Sequence, residues 1–165
     1  MSAHLNDLVP ELADAARQLV AAAGAARLNP RVTSTRRSRA EQTRLYRRAQ
    51  QGLSGYPVAP PGFSAHEYGW AFDLVVSPFD AIYDVGYTWQ QWGGAWYDTD
   101  VVHFELPGAA AEAKRLGDEE LAAKGWTFND LLSIFYPLHG VDMPVAAQKK
   151  KIDDMADKFL KSYGL

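Results

Sequence analysis

The sequence contains no cysteine, and this excludes several classes of protein. A disulfide-stabilised scaffold, a thiol nucleophile and any zinc, iron–sulfur or haem site with cysteine ligands are ruled out. No apolar run approaches the ~18 residues that a membrane helix needs, so membrane insertion is not expected. The N-terminus, MSAHLNDLVPELAD, is acidic and amphipathic, unlike a secretory signal. We therefore expect synthesis in the cytoplasm without a signal peptide.

A strong net charge is also missing. The 165 residues include 17 Lys plus Arg and 20 Asp plus Glu, a formal charge of −3. A dedicated nucleic-acid binder usually carries a basic excess, so no nucleic-acid partner is expected. The length suits one domain with, at most, a small appendage.

Positive charge is absent from one long stretch. Between Arg27 and Arg48 there are eight arginines and a single acid, Glu41, but residues 49–111 contain no Lys or Arg. The acids of that stretch are Glu67, Asp73, Asp80, Asp84, Asp98, Asp100 and Glu105. Such a segment repels itself unless its acids pair with the arginine-rich segment, face water or hold a metal cation. Charge alone leaves these three possibilities open.

Hydrophobic periodicity and turn residues predict an α+β fold with a small, mostly antiparallel sheet. The capping box Ser38-x-x-Glu41 opens one of the helices. The predicted helices are 10–25, 39–51, 80–92, 109–116, 118–123, 128–135 and 145–162. The predicted strands are 31–35, 70–76 and 101–106, and a Pro/Gly-rich loop covers 53–64.

Two short stretches carry the residues best suited to chemistry. His66 leaves a glycine-containing loop, and Asp73 follows seven residues later in an apolar strand; His103 lies in a second apolar strand. A carboxylate in such a strand is costly to bury unless it is paired or bound to a metal. Two imidazoles and one carboxylate make a three-ligand zinc site with an open fourth position, the catalytic arrangement.

A hydrolytic zinc site also needs a general base and a donor for the oxyanion. Asp100, three residues before His103, is the candidate base, and this requires a bend or bulge around residues 99–101. Glu105 is the rival base, or else a partner of an imidazole. The donor must come from the arginine-rich segment, where Arg37 adjoins the helix cap.

Each of these residues also has a purely structural interpretation. A lone strand histidine is often a core or rim residue, a buried aspartate often pairs with arginine, and most of the arginines suit a solvated face. The tryptophans are expected in the core, although Trp96 is a candidate for lining a substrate groove. The joint occurrence, in chain order, of Arg, His-x6-Asp and Asp-x-x-His favours the metal site.

These motifs resemble a known family. The pattern Ser64-x-His66-x-x-Gly69-x-Ala71-x-Asp73, followed by Asp100-x-x-His103-Phe104, is similar to the zinc D-alanyl-D-alanine carboxypeptidases and L-alanyl-D-glutamate endopeptidases, which include vancomycin-resistance dipeptidases and phage endolysins. The stretch from Val32 to Gln42 resembles the family's upstream Thr-Ser-Gly-Tyr-Arg-Ser…Gln segment, with Thr35-Arg36 in place of Gly-Tyr. The resemblance covers roughly residues 30–106.

The resemblance implies a role for each matching residue. The implied zinc ligands are His66, Asp73 and His103. The implied base is Asp100, and Arg37 would bind the substrate carbonyl or oxyanion. Support would come from Gln42 and Ser64. The implied fold is of the Hedgehog/DD-peptidase type, with a zinc peptidase domain over 1–110 and a helical extension over 111–165 packed on it.

The implied activity is zinc-dependent hydrolysis of an amide bond in the peptidoglycan stem peptide. Asp100 stands where the carboxypeptidase branches usually have Glu, which favours an endolysin-like L-alanyl-D-glutamate endopeptidase acting as a monomer after release, or from a virion. The alternatives are a D-Ala-D-Ala carboxypeptidase or dipeptidase, and a non-catalytic metal-binding module of a virion or wall. The C-terminal helices are interpreted as a buttress of the core or as a docking face around residues 149–151 and Lys158.

Overall fold

The computed structural model describes residues 3–135, 154 and 157–164. In chain order the elements are α1 (Pro10–Ala25), β1 (Arg31–Ser34), α2 (Arg39–Gln50), β2 (Ala71–Val75), α3 (Ile82–Gln91), β3 (Ala95–Trp96), β4 (His103–Glu105), α4 (Ala109–Ala123) and α5 (Phe128–Phe135). Short 3-10 turns lie at Leu5–Asp7, Ala65–Tyr68, Phe79–Ala81 and Asp98–Asp100. Residues 157–162 are helical, whereas the predicted start of that helix at residue 145 lies outside the described residues. None of the described helices is long and apolar enough to cross a bilayer.

The strands form one antiparallel sheet in the order β1–β2–β4–β3. In its central pair Asp73 lies opposite His103, and Phe72 lies opposite Phe104. Because side chains alternate along a strand, Asp73 and His103 share one face of the sheet and the two phenylalanines share the other. This small antiparallel sheet with flanking helices confirms the predicted α+β fold.

The apolar face of the sheet is covered by α1 and α3. Phe72 and Phe104 stack with ring centroids 5.4 Å apart, and Trp89 meets Phe72 edge-on at 5.6 Å. The helices add the buried side chains Leu12, Leu19, Ile82 and Val85. Burying each such side chain contributes roughly 1.5–3 kcal/mol, so this core fixes the positions of β2 and β4, which carry Asp73 and His103.

A second apolar cluster joins α2 to the chain beyond the sheet. Its buried members are Tyr46, Phe63, Leu121, Leu131 and Phe159. Phe159 lies in the helical segment near the C-terminus and meets Trp126 edge-on at 5.9 Å. The cluster therefore brings α4, α5 and residues near 159 against α2 and the end of the 53–64 loop.

Helix α4 corrects one prediction. The sequence predicted two helices, 109–116 and 118–123, separated at Gly117, but a single helix spans Ala109–Ala123. A Cβ at residue 117 would lie 2.8 Å from the carbonyl oxygen of Gly62 and 2.9 Å from the Phe63 ring. Gly117 thus serves close packing against the 53–64 loop rather than a helix break.

The segment that precedes β4 corrects a second prediction, the extent of the strand 101–106. The predicted strand 101–106 is only His103–Glu105, and the residues before it form the 3-10 turn Asp98–Asp100 followed by a further turn. The turn Asp98–Asp100 changes the direction of the chain before His103, in place of the bend or bulge expected around residues 99–101. The edge strand β3 was not predicted, because two residues carry no detectable periodicity.

Candidate metal centre and active-site cleft

Three side chains from two strands and one turn converge on the polar face of the sheet. Asp73 of β2 and His103 of β4 are direct cross-strand partners. His66 lies on the 3-10 turn Ala65–Tyr68, which ends at Gly69 in the left-handed region with φ 74°. His66 Nε2 is 3.1 Å from Asp73 Oδ1 and 3.2 Å from His103 Nδ1, and His103 Nδ1 is 3.4 Å from Asp73 Oδ1. These three residues could hold a metal ion.

The geometry fits zinc. With bonds of 2.0–2.1 Å, two ligand atoms of a tetrahedral zinc site lie about 3.3 Å apart, close to all three measured distances. His66 Nδ1 contacts the carbonyl oxygen of Thr35 at 2.8 Å, and His103 Nε2 contacts Glu105 Oε2 at 3.2 Å. Since both partners accept hydrogen bonds, the ring atoms facing them carry the protons. In the neutral imidazoles, His66 Nε2 and His103 Nδ1 then direct lone pairs toward Asp73 Oδ1, an arrangement that a cation satisfies.

The pKa values of the two histidines shift in opposite directions. Burial lowers the pKa of His66, so its ring is neutral near pH 7. Burial also disfavours the charged form of His103, but the carboxylates of Asp73 and Glu105 outweigh it and raise the pKa of His103 to about 9. A metal ion must displace a proton from this ring, which makes metal binding dependent on pH.

Arg37 forms an ion pair with the second oxygen of the Asp73 carboxylate. Its Nη2 is 2.6 Å from Asp73 Oδ2, its Nε donates to Ser34 Oγ at 3.0 Å, and its Nη1 is 3.4 Å from Gln42 Oε1. Burial alone would raise the pKa of Asp73, but the two histidines and the Arg37 guanidinium hold it well below its usual range. Asp73 is therefore ionised and held in place from both oxygens.

Asp100 lies at the end of the turn before β4. Its backbone N–H donates to the carbonyl oxygen of Tyr97 at 3.2 Å, which fixes the turn. Burial raises the pKa of the Asp100 carboxyl, and the nearby charge of Asp73 adds to this, whereas the histidines and Arg37 oppose it. A carboxylate with a raised pKa beside a metal site has the property expected of a general base.

The described residues enclose these groups in an open cleft of about 540 Å³. The sequence-predicted residues that line it are Arg37, Gln42, Ser64, His66, Asp73, Asp100, His103 and Glu105. Its other wall comes from the 53–64 loop and α2, and includes the apolar side chains of Leu45, Val58 and Phe63. Residues far apart in the chain therefore meet in a single cleft.

Trp96 does not line this cleft. Trp96 is 2% exposed, the rings of the exposed residues Tyr83 and Tyr87 meet its ring edge-on, and its Nε1 donates to the carbonyl oxygen of Val101 at 2.8 Å. The structure thus places Trp96 beneath the Asp100 turn, not in a substrate groove. The sequence made Trp96 a candidate because it lies near the predicted site, but alternation along the strand directs its side chain to the core.

Gln42 and Ser64 both lie in the cleft wall and are nearly inaccessible. The Gln42 side chain is fully buried; its Nε2 donates to the carbonyl oxygen of Ala59 at 2.7 Å, and its Oε1 faces Arg37. It joins Arg37 to the 53–64 loop. The Ser64 carbonyl oxygen accepts from the Glu67 N–H at 2.9 Å and begins the turn that carries His66.

Sequence reasoning missed three contributors to this region. The carbonyl of Thr35 orients His66, and no side-chain pattern reports a backbone acceptor. The buried Glu67, which follows His66 in the sequence, and the partly buried Arg39 are far apart in the chain but form an ion pair of 2.6 Å. Tyr97 stands beside Asp100 with its side chain exposed. The period of two along the strand was a signal that Tyr97, not Trp96, faces away from the core.

Comparison with known proteins identifies the family. The family model VanY, described as D-alanyl-D-alanine carboxypeptidase, matches residues 5–93. The chain belongs to the VanY family. The matched stretch contains Arg37, His66 and Asp73, whereas Asp100 and His103 lie beyond it and join the centre through the geometry described above. A search of curated sequences gives no match.

Two solved structures share the fold of this VanY-family protein. VanYB in complex with D-alanine-D-alanine matches with a TM-score of 0.51 and 18% identity, covering 76% of this chain and 82% of that chain. A vancomycin-resistance D,D-pentapeptidase VanY mutant in complex with Zn(II), from a VanB-type resistance cassette, matches with the same score and identity, covering 76% and 83%. Family membership and the three-donor group confirm the prediction from sequence: the protein is a zinc-dependent peptidase of peptidoglycan.

Proposed function

We propose that the protein is a zinc-dependent endopeptidase that hydrolyses the L-Ala–D-Glu bond of peptidoglycan stem peptides. The observation that supports it is the convergence of three metal-donor atoms beside a carboxylate of raised pKa in one open cleft. The proposed zinc ligands are His66, Asp73 and His103. A bound zinc ion would polarise the scissile carbonyl and lower the pKa of water in the fourth position.

Asp100 is the proposed general base. Its carboxylate accepts a proton from the attacking water and, once protonated, donates it to the leaving amide nitrogen as the C–N bond breaks. The raised pKa makes the Asp100 carboxylate a stronger base toward the attacking water. Glu105 already accepts a hydrogen bond from His103 at 3.2 Å, which suits it to orienting that ring rather than to moving the proton.

Arg37 is the proposed partner of the oxyanion. Its contacts with Ser34, Asp73 and Gln42 use three of its five N–H groups and leave two for a substrate carbonyl. The same contacts hold the guanidinium rigid, so little reorganisation is needed as charge develops. Gln42 and Ser64 act by supporting this wall of the cleft, and the buried position of Trp96 favours support of the Asp100 turn over a direct substrate contact.

Two observations favour cleavage within the stem over release of a terminal residue. An aspartate stands at the base position, and the cleft has room for several residues rather than a single alanine. The alternative is a D-Ala-D-Ala carboxypeptidase, the activity named in the description of the matching family. Both substrates carry a carboxylate next to the scissile nitrogen, so that feature does not discriminate between them.

The proposed setting is endolysin-like. The enzyme would act as a monomer and reach the wall after release or within a virion. Residues 1–110 would form the peptidase and residues 111–165 a helical extension on the same domain, supported by the packing of Leu121, Leu131 and Phe159 against Tyr46.

A digest of purified peptidoglycan, read by mass spectrometry, tests the proposal. We expect products cut between L-Ala and D-Glu, loss of activity with a chelator and its return with added zinc. Release of terminal D-Ala instead would establish the carboxypeptidase alternative. An absence of cleavage in zinc-loaded protein would overturn both and favour a metal-binding wall module.

A further inference from the structure

Tyr97 lies on the same face of the sheet as the candidate metal centre. Its backbone is extended, with φ −134° and ψ 140°, so its side chain points away from that of Trp96. Trp96 is buried on the apolar face, opposite Phe104. Extending this register by one residue brings Tyr97 opposite His103, and the Tyr97 side chain is 57% exposed. An accessible aromatic ring therefore stands one strand away from a proposed metal ligand.

The turn after β3 ties this tyrosine to the proposed base. The carbonyl oxygen of Tyr97 accepts the backbone N–H of Asp100 at 3.2 Å. The preceding residue is anchored at two points, because Trp96 Nε1 donates to Val101 O and Gln90 Nε2 donates to Trp96 O, both at 2.8 Å. Tyr97 is thus presented at a fixed position relative to Asp100, as a binding surface requires.

The chemistry around Tyr97 selects the kind of ligand. Residues 49–111 contain no Lys or Arg, and the residue after Tyr97, Asp98, is exposed. An anionic polymer would be repelled there, and no basic side chain from this stretch could recognise one. A sugar ring suits the surface better, because its C–H face packs on an aromatic face and its hydroxyl groups donate to a carboxylate.

We propose that Tyr97 stacks against the N-acetylmuramic acid ring to which the stem peptide is attached, so that the enzyme prefers glycan-linked stems to free peptides. The inference rests on the proposed L-Ala–D-Glu cleavage, because L-Ala is the residue joined to that sugar and the ring then lies one residue from the scissile bond. A terminal D-Ala–D-Ala bond lies several residues further from the sugar.

Paired substrates test the inference in the zinc-loaded protein. The two substrates are a stem peptide carrying N-acetylmuramic acid on L-Ala and the same peptide without the sugar. We expect kcat/KM to be about tenfold higher for the sugar-linked substrate, which is one well-formed contact. Tyr97→Ala should bring the ratio close to one, and Tyr97→Phe should preserve it. Trp92→Ala is the matched control, since Trp92 is similarly exposed at 49% but follows α3 on the other face.

A binding experiment separates this inference from the choice of scissile bond. The disaccharide of N-acetylglucosamine and N-acetylmuramic acid, with its lactyl carboxyl capped as a simple amide in place of the peptide, is titrated into the zinc-loaded protein and followed by NMR. We expect shifts at Tyr97 and its neighbours, which Tyr97→Ala abolishes and Trp92→Ala retains. L-Ala–D-Glu cleavage with no sugar preference and no disaccharide binding would overturn the inference while the proposed function stands. Release of D-Ala would instead overturn the proposed function.

Discussion

Two arginine–carboxylate pairs lie close together in this protein, and one of them belongs to the candidate metal centre. Arg37 pairs with Asp73 and Arg39 pairs with Glu67, each at 2.6 Å. In the first pair one carboxylate oxygen is left facing two imidazole nitrogens. In the second, Glu67 Oε2 accepts the N–H of Gly62 at 2.7 Å and Oε1 faces Arg39. The two pairs have the same nitrogen–oxygen distance, but their carboxylates differ in further contacts. The Glu67 carboxylate accepts a backbone N–H, whereas the Asp73 carboxylate faces two imidazole nitrogens.

The electrostatics of the two carboxyls differ accordingly. Burial raises the pKa of Glu67 even though Arg39 opposes it, whereas the pKa of Asp73 lies well below its usual range. Arg39 continues the second network to Glu120 at 2.8 Å and lies 4.8 Å from the centre of the Tyr163 ring. An arginine–carboxylate pair alone therefore does not indicate a metal site. The indication comes from the two imidazole nitrogens that converge on the carboxylate oxygen of Asp73.

The largest difference is expected when each pair loses its carboxylate charge. Asp73→Asn removes the anionic zinc ligand with little change in volume, so bound zinc should be lost and activity should fall by more than about 10³-fold. Glu67→Gln is the matched change in the other pair and should keep its zinc. Metal analysis after dialysis, with circular dichroism to verify folding, makes the measurement. Stoichiometric zinc in folded Asp73→Asn would contradict the assignment.

The next largest effect isolates chemistry from metal binding. Asp100→Asn should retain zinc but lower kcat by about 10²–10⁴-fold, because the amide cannot take the proton. Asp84→Asn, an exposed aspartate on α3 at the opposite face of the sheet, is the control and should leave kcat nearly unchanged. Unchanged turnover in Asp100→Asn would transfer the role of base to Glu105.

The same base predicts the shape of the pH profile. Asp100 must be deprotonated to accept a proton, so the rate should fall as pH drops through its pKa. Because burial raises that pKa, the acid limb should lie above the ordinary aspartate value of about 3.9. Rates are measured at saturating zinc, with zinc content checked at each pH because protons compete for His103. An acid limb that persists unchanged in Asp100→Asn would point to another group.

A smaller effect is expected at Glu105, which contacts the proposed zinc ligand His103 and not the metal itself. Glu105→Gln weakens the hydrogen bond that orients His103, so zinc affinity should fall about 10–100-fold while kcat at saturating zinc is largely kept. Competition with a zinc-binding dye gives the affinity. If kcat at saturating zinc collapses instead, Glu105 takes part in proton transfer.

Local patterns in the sequence predict the strands and the residues of the candidate metal centre. The pattern His-x6-Asp with Asp-x-x-His was informative because strand pairing brings Asp73 opposite His103, and local apolar residues predict both strands. The capping box predicted the start of α2, where Ser38 Oγ accepts the Glu41 N–H at 3.2 Å. Such local signals indicate the α+β class and the residues of the centre.

Contacts between distant segments could not be predicted in this way. The pair Arg39–Glu67 depends on how α2 meets the turn that carries His66, and no spacing encodes that meeting. The direction in which the Trp96 side chain points depends on the register of a two-residue strand that was not predicted, and an error of one residue exchanges the faces of the sheet. The sequence predicts a helix break at Gly117, whereas the close contact with Gly62 that requires a glycine there joins distant parts of the chain and leaves no local signal.

The smallest effect on turnover is expected for the pair Arg39–Glu67, where a substitution should change the free energy of unfolding instead. Glu67→Gln removes the ion pair with Arg39 but retains an acceptor for Gly62, so unfolding should become easier by about 2 kcal/mol, a decrease in Tm of about 4–8 °C. Zinc content and kcat should stay close to those of the parent protein. Asp118→Asn, which removes an exposed ion pair with Lys114, is the control and should change stability by less than about 0.5 kcal/mol. Loss of zinc in folded Glu67→Gln would mean that the two networks are coupled through His66, and the distinction between a structural pair and a metal-binding pair would fail.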